Sequence, residues 1–194
     1  MRIVVTGFEP FGGSDINSSW ETAALIGQRP PKDVDMEVVC LPVSFRRVGA
    51  VLQEVLSERQ PDVLVMLGQR GSGKSIDIER IAVNLMHTEN SDNDGYSPDE
   101  VPICRCGESA YFSNLPVKGL RDSLLKEGIV AKVSNSAGLY VCNCTYYNAL
   151  KTIKELNLPT RAVFVHVPKI SEEFPAEKLA GAVRLIIEQI KLTI

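Results

Sequence analysis

The stretch Ser134-Asn-Ser-Ala-Gly-Leu-Tyr-Val-Cys-Asn143 follows an apolar run at residues 129–133 and leads into a segment with helical character at residues 143–156. This order predicts a buried strand, a small polar loop and a helix, with Cys142 at the start of the helix. The first turn of a helix has unpaired N–H groups and a partial positive charge, and both favour a thiolate over a thiol. Cys142 is therefore a candidate nucleophile. A buried structural cysteine is the alternative, because free cysteines are among the most buried residues.

Strands and helices alternate on either side of this stretch. The predicted strands cover residues 3–6, 36–43, 61–67, 129–134 and 161–167, with an extended segment at 76–85. The predicted helices cover residues 20–27, 45–59, 117–127, 143–156 and 175–192. Ser18 and Ser19 are expected to cap the first helix. Connections long enough to return in parallel predict an α/β fold, with residues 1–194 as a single catalytic domain. Its architecture is a three-layer α/β/α sandwich around a mostly parallel, twisted sheet.

Composition and charge restrict the classes of partner. The chain is 44% hydrophobic and 23% charged, as is usual for soluble globular proteins. A net charge of −3 gives no electrostatic attraction to nucleic acid or to anionic membranes, and no apolar run approaches a membrane span. The chain begins directly with a strand-like run, so no cleavable signal segment is predicted.

The five cysteines are an odd number, which favours reduced thiols and a cytoplasmic location over a disulfide framework. Two C-x-C pairs offer an alternative, a four-thiolate zinc site formed by Cys104, Cys106, Cys142 and Cys144. Zinc-binding pairs usually have two intervening residues, so this spacing does not favour a metal site.

Residues 68–75, Gly-Gln-Arg-Gly-Ser-Gly-Lys-Ser, match a phosphate-binding P-loop at every position and follow a buried strand. A P-loop must open a helix whose N-terminus faces the phosphates. The residues from Ile76 onward are β-branched and favour an extended segment instead. A nucleotide-binding protein built on Gly68 to Ser75 remains the alternative from a different functional class.

Of the two histidines, His87 lies in a polar stretch, whereas His166 lies at the end of a buried strand, just before Pro168. Sites in open α/β sheets form at that end of the strands, where the loop before Cys142 also arrives. A cysteine and a histidine together supply the nucleophile and the proton shuttle for acyl transfer. Glu79, in the extended segment after Gly68, is our choice for the group that orients the imidazole.

Two phenylalanines, Phe8 and Phe11, lie in the glycine- and proline-containing segment at residues 7–13. One interpretation is that both rings cover one end of the core. The other is that they form an apolar wall for a small ligand.

These residues resemble the pyrrolidone carboxyl peptidase family (pyroglutamyl peptidase I), a family of cysteine peptidases, over nearly the full chain. Several blocks in the right order carry the resemblance: TGFEPFGG at 6–13, GQ at 68–69, ERIAVN at 79–84, DNDG at 92–95, AYFSNLP at 110–116, SNSAGLYVCN at 134–143 and FVHVP at 164–168.

The resemblance implies removal of N-terminal pyroglutamate from peptides without a metal or organic cofactor. The family's catalytic Glu, Cys and His fall on Glu79, Cys142 and His166, and its ring-binding phenylalanines fall on Phe8 and Phe11. Gln69 is expected to contact the lactam of the substrate. A homo-oligomer, commonly a tetramer, is also implied.

The chain departs from the family pattern at Lys74 and Ser75, at Ser18, at Leu139 and at residues 87–90. These departures concern the loop shape and the substrate side of the site. They do not concern the triad. A catalytically inactive homologue that keeps the pocket and binds a pyroglutamyl group is a further alternative, and the intact triad argues against it.

Overall fold

The computed structural model describes residues 1–194, and it has the predicted α/β architecture with helices on both faces of a central sheet. The strands are β1 (Arg2–Phe8), β2 (Asp35–Leu41), β3 (Val63–Arg70), β4 (Ile76–Glu79), β5 (Ile81–Val83), β6 (Ala110–Phe112), β7 (Ala131–Ser134) and β8 (Arg161–Pro168). The helices are α1 (Ser18–Gln28), α2 (Val48–Glu54), α3 (Val117–Lys126), α4 (Val141–Glu155) and α5 (Ala176–Lys191). None of the helices has the length and apolar character needed to cross a membrane.

The central sheet has six strands in the order β2-β1-β3-β8-β4-β7. The first four strands are parallel, and β4 runs antiparallel to β8 and parallel to β7. The connection between β3 and β4 is only residues 71–75. A parallel crossover needs about a dozen residues or more, so this short connection forces β4 to run in the opposite direction.

The sheet separates two apolar cores. Helices α1, α3 and α5 pack on one face with Val65, Ile78 and Val165. Helices α2 and α4 pack on the other face with Met66 and Phe164. Because side chains alternate along a strand, His166 and Gly68 point to the second face, the side on which Cys142 arrives with α4.

Several local expectations were wrong. The cap of α1 is Asn17, whose Oδ1 accepts the Ser19 amide at 3.0 Å, and not Ser18 or Ser19 themselves. The predicted helix at 45–59 is α-helical only to Glu54 and continues as a π-helix over Val55–Arg59. Both misses come from hydrogen bonds that a pattern of apolar residues does not reveal.

The predicted extended segment at 76–85 is divided between two sheets. β4 joins the central sheet, and β5 pairs with β6 in a separate two-stranded sheet. β6 was not predicted, because three residues give too little alternation to identify a strand. Phe8, assigned to a loop, is the last residue of β1, and α4 begins two residues earlier than predicted.

Candidate active site

A cavity of about 290 Å³ opens where β1, β3 and β8 end and α4 begins. This is the edge at which parallel α/β sheets usually bind ligands. Its lining is mostly apolar with a few polar groups, as is typical of sites for small molecules. The lining residues are Phe8, Phe11, Asn17, Val43, Gln69, Arg70, Gly71, Ala137, Gly138, Tyr140, Val141, Cys142 and His166.

Cys142 is the second residue of α4, after the cap at Tyr140. Its side chain is partly exposed and lines the cavity. The start of α4 is fixed by Asn143, whose Oδ1 accepts the Val83 amide at 3.0 Å and whose Nδ2 donates to the carbonyls of Val83 and Leu85. The nucleophile predicted from sequence therefore lies in the first turn of a helix that is fastened to β5.

His166, which lines the cavity, forms a buried pair with Glu79, which does not reach the cavity. The Nδ1 atom of His166 lies 2.8 Å from Glu79 Oε1, and both side chains are almost completely buried. Nδ1 is thereby occupied, which leaves Nε2 for a partner in the cavity. The other carboxylate oxygen, Glu79 Oε2, is buried without a hydrogen-bond partner.

The protonation of His166 depends on Cys142 as well as on Glu79. Burial alone lowers the pKa of His166. The Cys142 sulfur and the Glu79 carboxylate outweigh that effect and raise the pKa to about 9. An imidazole with this pKa is protonated at neutral pH. The arrangement can therefore hold a proton close to Cys142 and release it to an acceptor.

The strand that carries Glu79 enters the site from the opposite end. Because β4 is antiparallel to β8, Asp77 is paired with His166, and Glu79 is paired with Phe164. The second pair lies two residues further from the cavity along β8. Glu79 therefore contacts only the inner nitrogen of the imidazole. Tyr146 donates its hydroxyl to the Glu79 backbone carbonyl at 3.2 Å and holds this part of β4 in place.

The remaining cysteines do not line the cavity. Cys144 lies on the buried face of α4, and burial raises its thiol pKa to about 12. The structure has no group of three or more His, Cys, Asp or Glu side chains that could hold a metal ion. The four-thiolate zinc site considered from the sequence is therefore not formed.

The two phenylalanines have different surroundings. Phe8 is buried, with its ring 6.4 Å from that of Phe164. Phe11 is partly exposed, with its ring 6.2 Å from that of Tyr140. Both alternatives considered from the sequence thus hold in part, since Phe8 belongs to the core and each ring also lines the cavity.

Gln69 lines the cavity as expected, but its side-chain oxygen is already occupied. Oε1 accepts hydrogen bonds from the amide and the hydroxyl of Ser18, each at 2.8 Å. This contact fixes the orientation of the amide, so that its Nε2 donor is the group left for a ligand.

Three polar residues of the cavity lining were not identified as site residues from the sequence, namely Asn17, Arg70 and Tyr140. Arg70 lies two positions after Gly68 on β3, so the period of two in a strand would have placed it on the same face. Tyr140 is the residue that immediately precedes α4. Asn17 belongs to the residue types that are preferred at the N-cap of a helix.

The segment that matches a P-loop has a different structure. Residues 71–75 form a turn between β3 and β4, and no helix follows Ser75. The helix N-terminus on which phosphate binding depends is therefore missing, and nucleotide binding is not favoured.

A family model described as pyroglutamyl peptidase matches residues 1–193. The pyrrolidone-carboxylate peptidase of Thermococcus onnurineus is 41% identical over 175 residues, which cover 89% of this chain and 86% of that protein. The structure of a mutant pyrrolidone carboxyl peptidase from Pyrococcus furiosus matches this one with a TM-score of 0.95 at 34% identity. The match covers 100% of this chain and 100% of that chain. Pyroglutamyl peptidase I from Bacillus amyloliquefaciens has a TM-score of 0.93 at 31% identity, over 98% of this chain and 97% of that structure. The chain therefore belongs to the pyroglutamyl peptidase family and is a peptidase.

Proposed function

We propose that this protein removes N-terminal pyroglutamate from peptides, with Cys142 as nucleophile, His166 as proton shuttle and Glu79 as the residue that orients the imidazole. The observation that carries the proposal is the buried His166–Glu79 pair at a cavity that Cys142 also lines. Membership of the family supports the substrate class.

The cavity suits a pyroglutamyl group in size and polarity. Pyroglutamate is a flat, neutral lactam without a free amine, so apolar rings can enclose its faces while polar groups contact its amide edge. Phe8 and Phe11 supply the rings in this proposal. Gln69 donates its free Nε2 to the lactam carbonyl, because its Oε1 is held by Ser18.

The first half of the reaction transfers the pyroglutamyl group to the enzyme. The Cys142 thiolate adds to the carbonyl carbon that precedes the scissile bond, and the carbonyl oxygen becomes an oxyanion. In this proposal, backbone N–H groups near Cys142 stabilise that charge. The carbon–nitrogen bond then breaks, the imidazolium of His166 protonates the leaving amine, and a thioester remains on Cys142.

The second half regenerates the enzyme. The neutral imidazole takes a proton from water, and the resulting hydroxide equivalent attacks the thioester carbonyl. The carbon–sulfur bond breaks, free pyroglutamate leaves, and Cys142 and His166 return to their starting charges. Glu79 keeps the imidazole in one orientation throughout, because its Oε1 lies 2.8 Å from Nδ1. Every step uses protein groups and water.

Hydrolysis of a pyroglutamyl chromogenic amide tests this proposal, with the corresponding prolyl amide as control. We expect release from the pyroglutamyl compound alone, and loss of release after treatment with a thiol alkylator. Cys142→Ala is expected to abolish turnover, whereas Cys144→Ala retains it. Substantial turnover by a folded Cys142→Ala variant would refute the role of this residue. Binding of pyroglutamate by a wild-type protein without turnover would identify an inactive homologue.

We further propose that the protein acts in the cytoplasm as a homo-oligomer. All five cysteines are free, which suits a reducing compartment. The oligomer, a tetramer in this proposal, rests on the family resemblance. Light scattering coupled to size-exclusion chromatography tests it directly, and a monomeric mass would overturn it.

A further inference from the structure

Beside the His166–Glu79 pair lies a second buried carboxylate, Asp77, to which the proposed mechanism assigns no task. Asp77 and Glu79 are two residues apart on β4, so both side chains point to the same face of the sheet, and both are fully buried. Two anions this close together without cations would cost a large desolvation and repulsion energy. Protonated His166 contacts Glu79 alone, so Asp77 needs a further cation for this arrangement to be stable.

Arg70 supplies that cation. Its Nη1 lies 2.9 Å from Asp77 Oδ2, and its Nη2 lies 3.6 Å from Glu79 Oε1, the same oxygen that contacts His166. Nη2 also donates to the Ser136 carbonyl at 3.3 Å, in the loop that leads to Cys142. One guanidinium thus contacts the strand of the orienting carboxylate and the loop of the nucleophile. The planar guanidinium spreads five N–H donors over a fixed fork, whereas an ammonium presents its three donors from a single point.

The turn at residues 71–75 encloses this arginine. A Cβ added to Gly73 would lie 3.2 Å from Cγ and Cδ of Arg70, so the absence of a side chain at Gly73 lets the turn cover the arginine stem. Ser75 donates its hydroxyl to Asp77 Oδ1 at 2.6 Å. Gly73 and Ser75, which belong to the segment that resembles a P-loop, thus contact Arg70 and Asp77.

We propose that Arg70, anchored by Asp77, is a positioning residue for the reaction: it holds Glu79 and the loop before Cys142 in the geometry that the Cys142–His166 pair requires. This inference rests on the proposed function of the site. Arg70 acts through Glu79 and Ser136, while its own guanidinium is occupied by protein groups.

The test compares the hydrolysis kinetics of Arg70→Met, Asp77→Asn and the double variant with those of the wild type. Methionine keeps much of the stem of Arg70 without its charge, and asparagine keeps the shape of Asp77. We expect each single variant to lower kcat about ten- to a hundredfold, because a misplacement of the reacting groups by about 1 Å can cost roughly a hundredfold in rate, with KM within about twofold. The double variant should lose no more than the worse single variant, because the two residues act as one unit.

The double variant also keeps the test informative if Arg70→Met alone fails to fold. Arg70→Met alone leaves the buried Asp77 with only Lys132, whose Nζ is 3.5 Å away, as a cation. The double variant removes both charges, so no unpaired anion remains. Arg70→Lys restores one contact but not the fork, and we expect it to recover only part of kcat.

Lys132→Gln is the matched control, because Lys132 contacts the same Asp77 oxygen from a more exposed position and lies outside the cavity. It should leave kcat and KM unchanged. A kcat loss in Lys132→Gln equal to that in Arg70→Met would overturn the proposal, as would additive losses in the double variant. A rise in KM at constant kcat in Arg70→Met would also overturn it, since that result would assign Arg70 to substrate binding.

The rate of Cys142 alkylation by iodoacetamide is a second readout that needs no peptide substrate. We expect it to fall about tenfold or more in Arg70→Met and Asp77→Asn and to stay unchanged in Lys132→Gln, because a displaced imidazole stabilises the thiolate less well. If the wild type failed to hydrolyse pyroglutamyl compounds, this measurement would still decide whether Arg70 positions the Cys142–His166 pair. Equal alkylation rates in all variants would overturn the inference.

Discussion

Gly68 lies directly against Cys142: a Cβ at position 68 would come within 3.0 Å of the Cys142 sulfur and within 2.8 Å of the Phe164 ring. The strand β3 therefore has no side chain at the one point where α4 brings the sulfur down to the sheet. Any larger residue at position 68 must displace the nucleophile or a fully buried ring.

Gly68→Ala should consequently damage activity more than stability. Overpacking a buried site costs roughly 1–3 kcal/mol of unfolding free energy. A displacement of the nucleophile of about 1 Å can cost roughly a hundredfold in rate, and we expect a loss of kcat of that size. The comparison is Gly119→Ala in α3, where an added Cβ meets no atom within 4 Å. That variant should keep full activity. Wild-type kcat in Gly68→Ala would show that the sulfur does not depend on this contact.

Glu79→Gln tests the proposed role of Glu79 in orienting the imidazole of His166. The amide keeps the shape of the side chain but removes the negative charge beside Nδ1 of His166. We expect kcat to fall about 10²- to 10⁴-fold, the range known for equivalent changes in hydrolases with such a triad, while KM changes little. Because Glu79 contributes to the raised pKa of His166, the basic limb of the pH profile should also move to lower pH.

Glu155→Gln is a suitable comparison, because Glu155 forms only an exposed ion pair with Lys151 within α4. Its kinetics should match those of the wild type. If Glu79→Gln kept full activity at every pH, a different residue would have to orient the imidazole.

The raised pKa of His166 also predicts how stability depends on pH. A group whose pKa is higher in the folded state, here about 9 against an ordinary 6.5, contributes stability that is fully present below pH 6.5. That contribution is lost as pH rises through 9. We expect the difference in unfolding free energy between the wild type and His166→Gln to be constant below pH 6.5 and to shrink between pH 6.5 and 9.

Urea unfolding at several pH values measures this difference. Lys169→Gln, a change at an exposed ionisable residue outside the cavity lining, is the control that corrects for general pH effects. A difference that grew with pH would mean that burial, rather than Cys142 and Glu79, dominates the ionisation of His166.

Asn17 connects helix α1 to the wall of the cavity. Its Oδ1 accepts from the Ser19 amide and hydroxyl, and its Nδ2 donates to the Glu9 carbonyl at 2.9 Å. Asn17→Ala should lower the unfolding free energy by roughly 1–2 kcal/mol through loss of the cap. It should also raise KM, because the segment that carries Phe11 loses an anchor.

Asn17→Ser separates these two effects. Serine caps a helix well but is too short to reach the Glu9 carbonyl. We expect this variant to keep most of the stability and still to raise KM. An unchanged KM in both variants would show that the anchor to Glu9 does not shape the cavity.

The alternation of strands and helices, and with it the α/β class, could be predicted because it follows from the spacing of apolar residues, which burial dictates locally. Cys142 and His166 could be selected for a related reason. Each lies at a junction, the start of a helix or the end of a buried strand, and parallel strands bring such junctions to one edge. The roles of these residues stay predictions until the variants are measured.

Other features depended on contacts between distant segments. Asn17 as the cap of α1, the short β6 and the π-helical end of α2 are set by hydrogen bonds that local composition does not specify. Gln69 was chosen as a lactam ligand, but only the fold shows that Ser18 already holds its oxygen.

By itself, the amino-acid sequence determined most of the segments that become strands and helices and that a cysteine would lie in the first turn of α4, because these follow from local propensity and the burial of apolar residues. The tertiary structure alone decided that β4 runs antiparallel, so that Glu79 lies beneath His166 and Asp77 faces Arg70. The physical reason is that a five-residue connection, 71–75, cannot carry the chain back for a parallel pairing. Strand direction, and with it the neighbours of each buried charge, emerges only when the whole sheet is assembled.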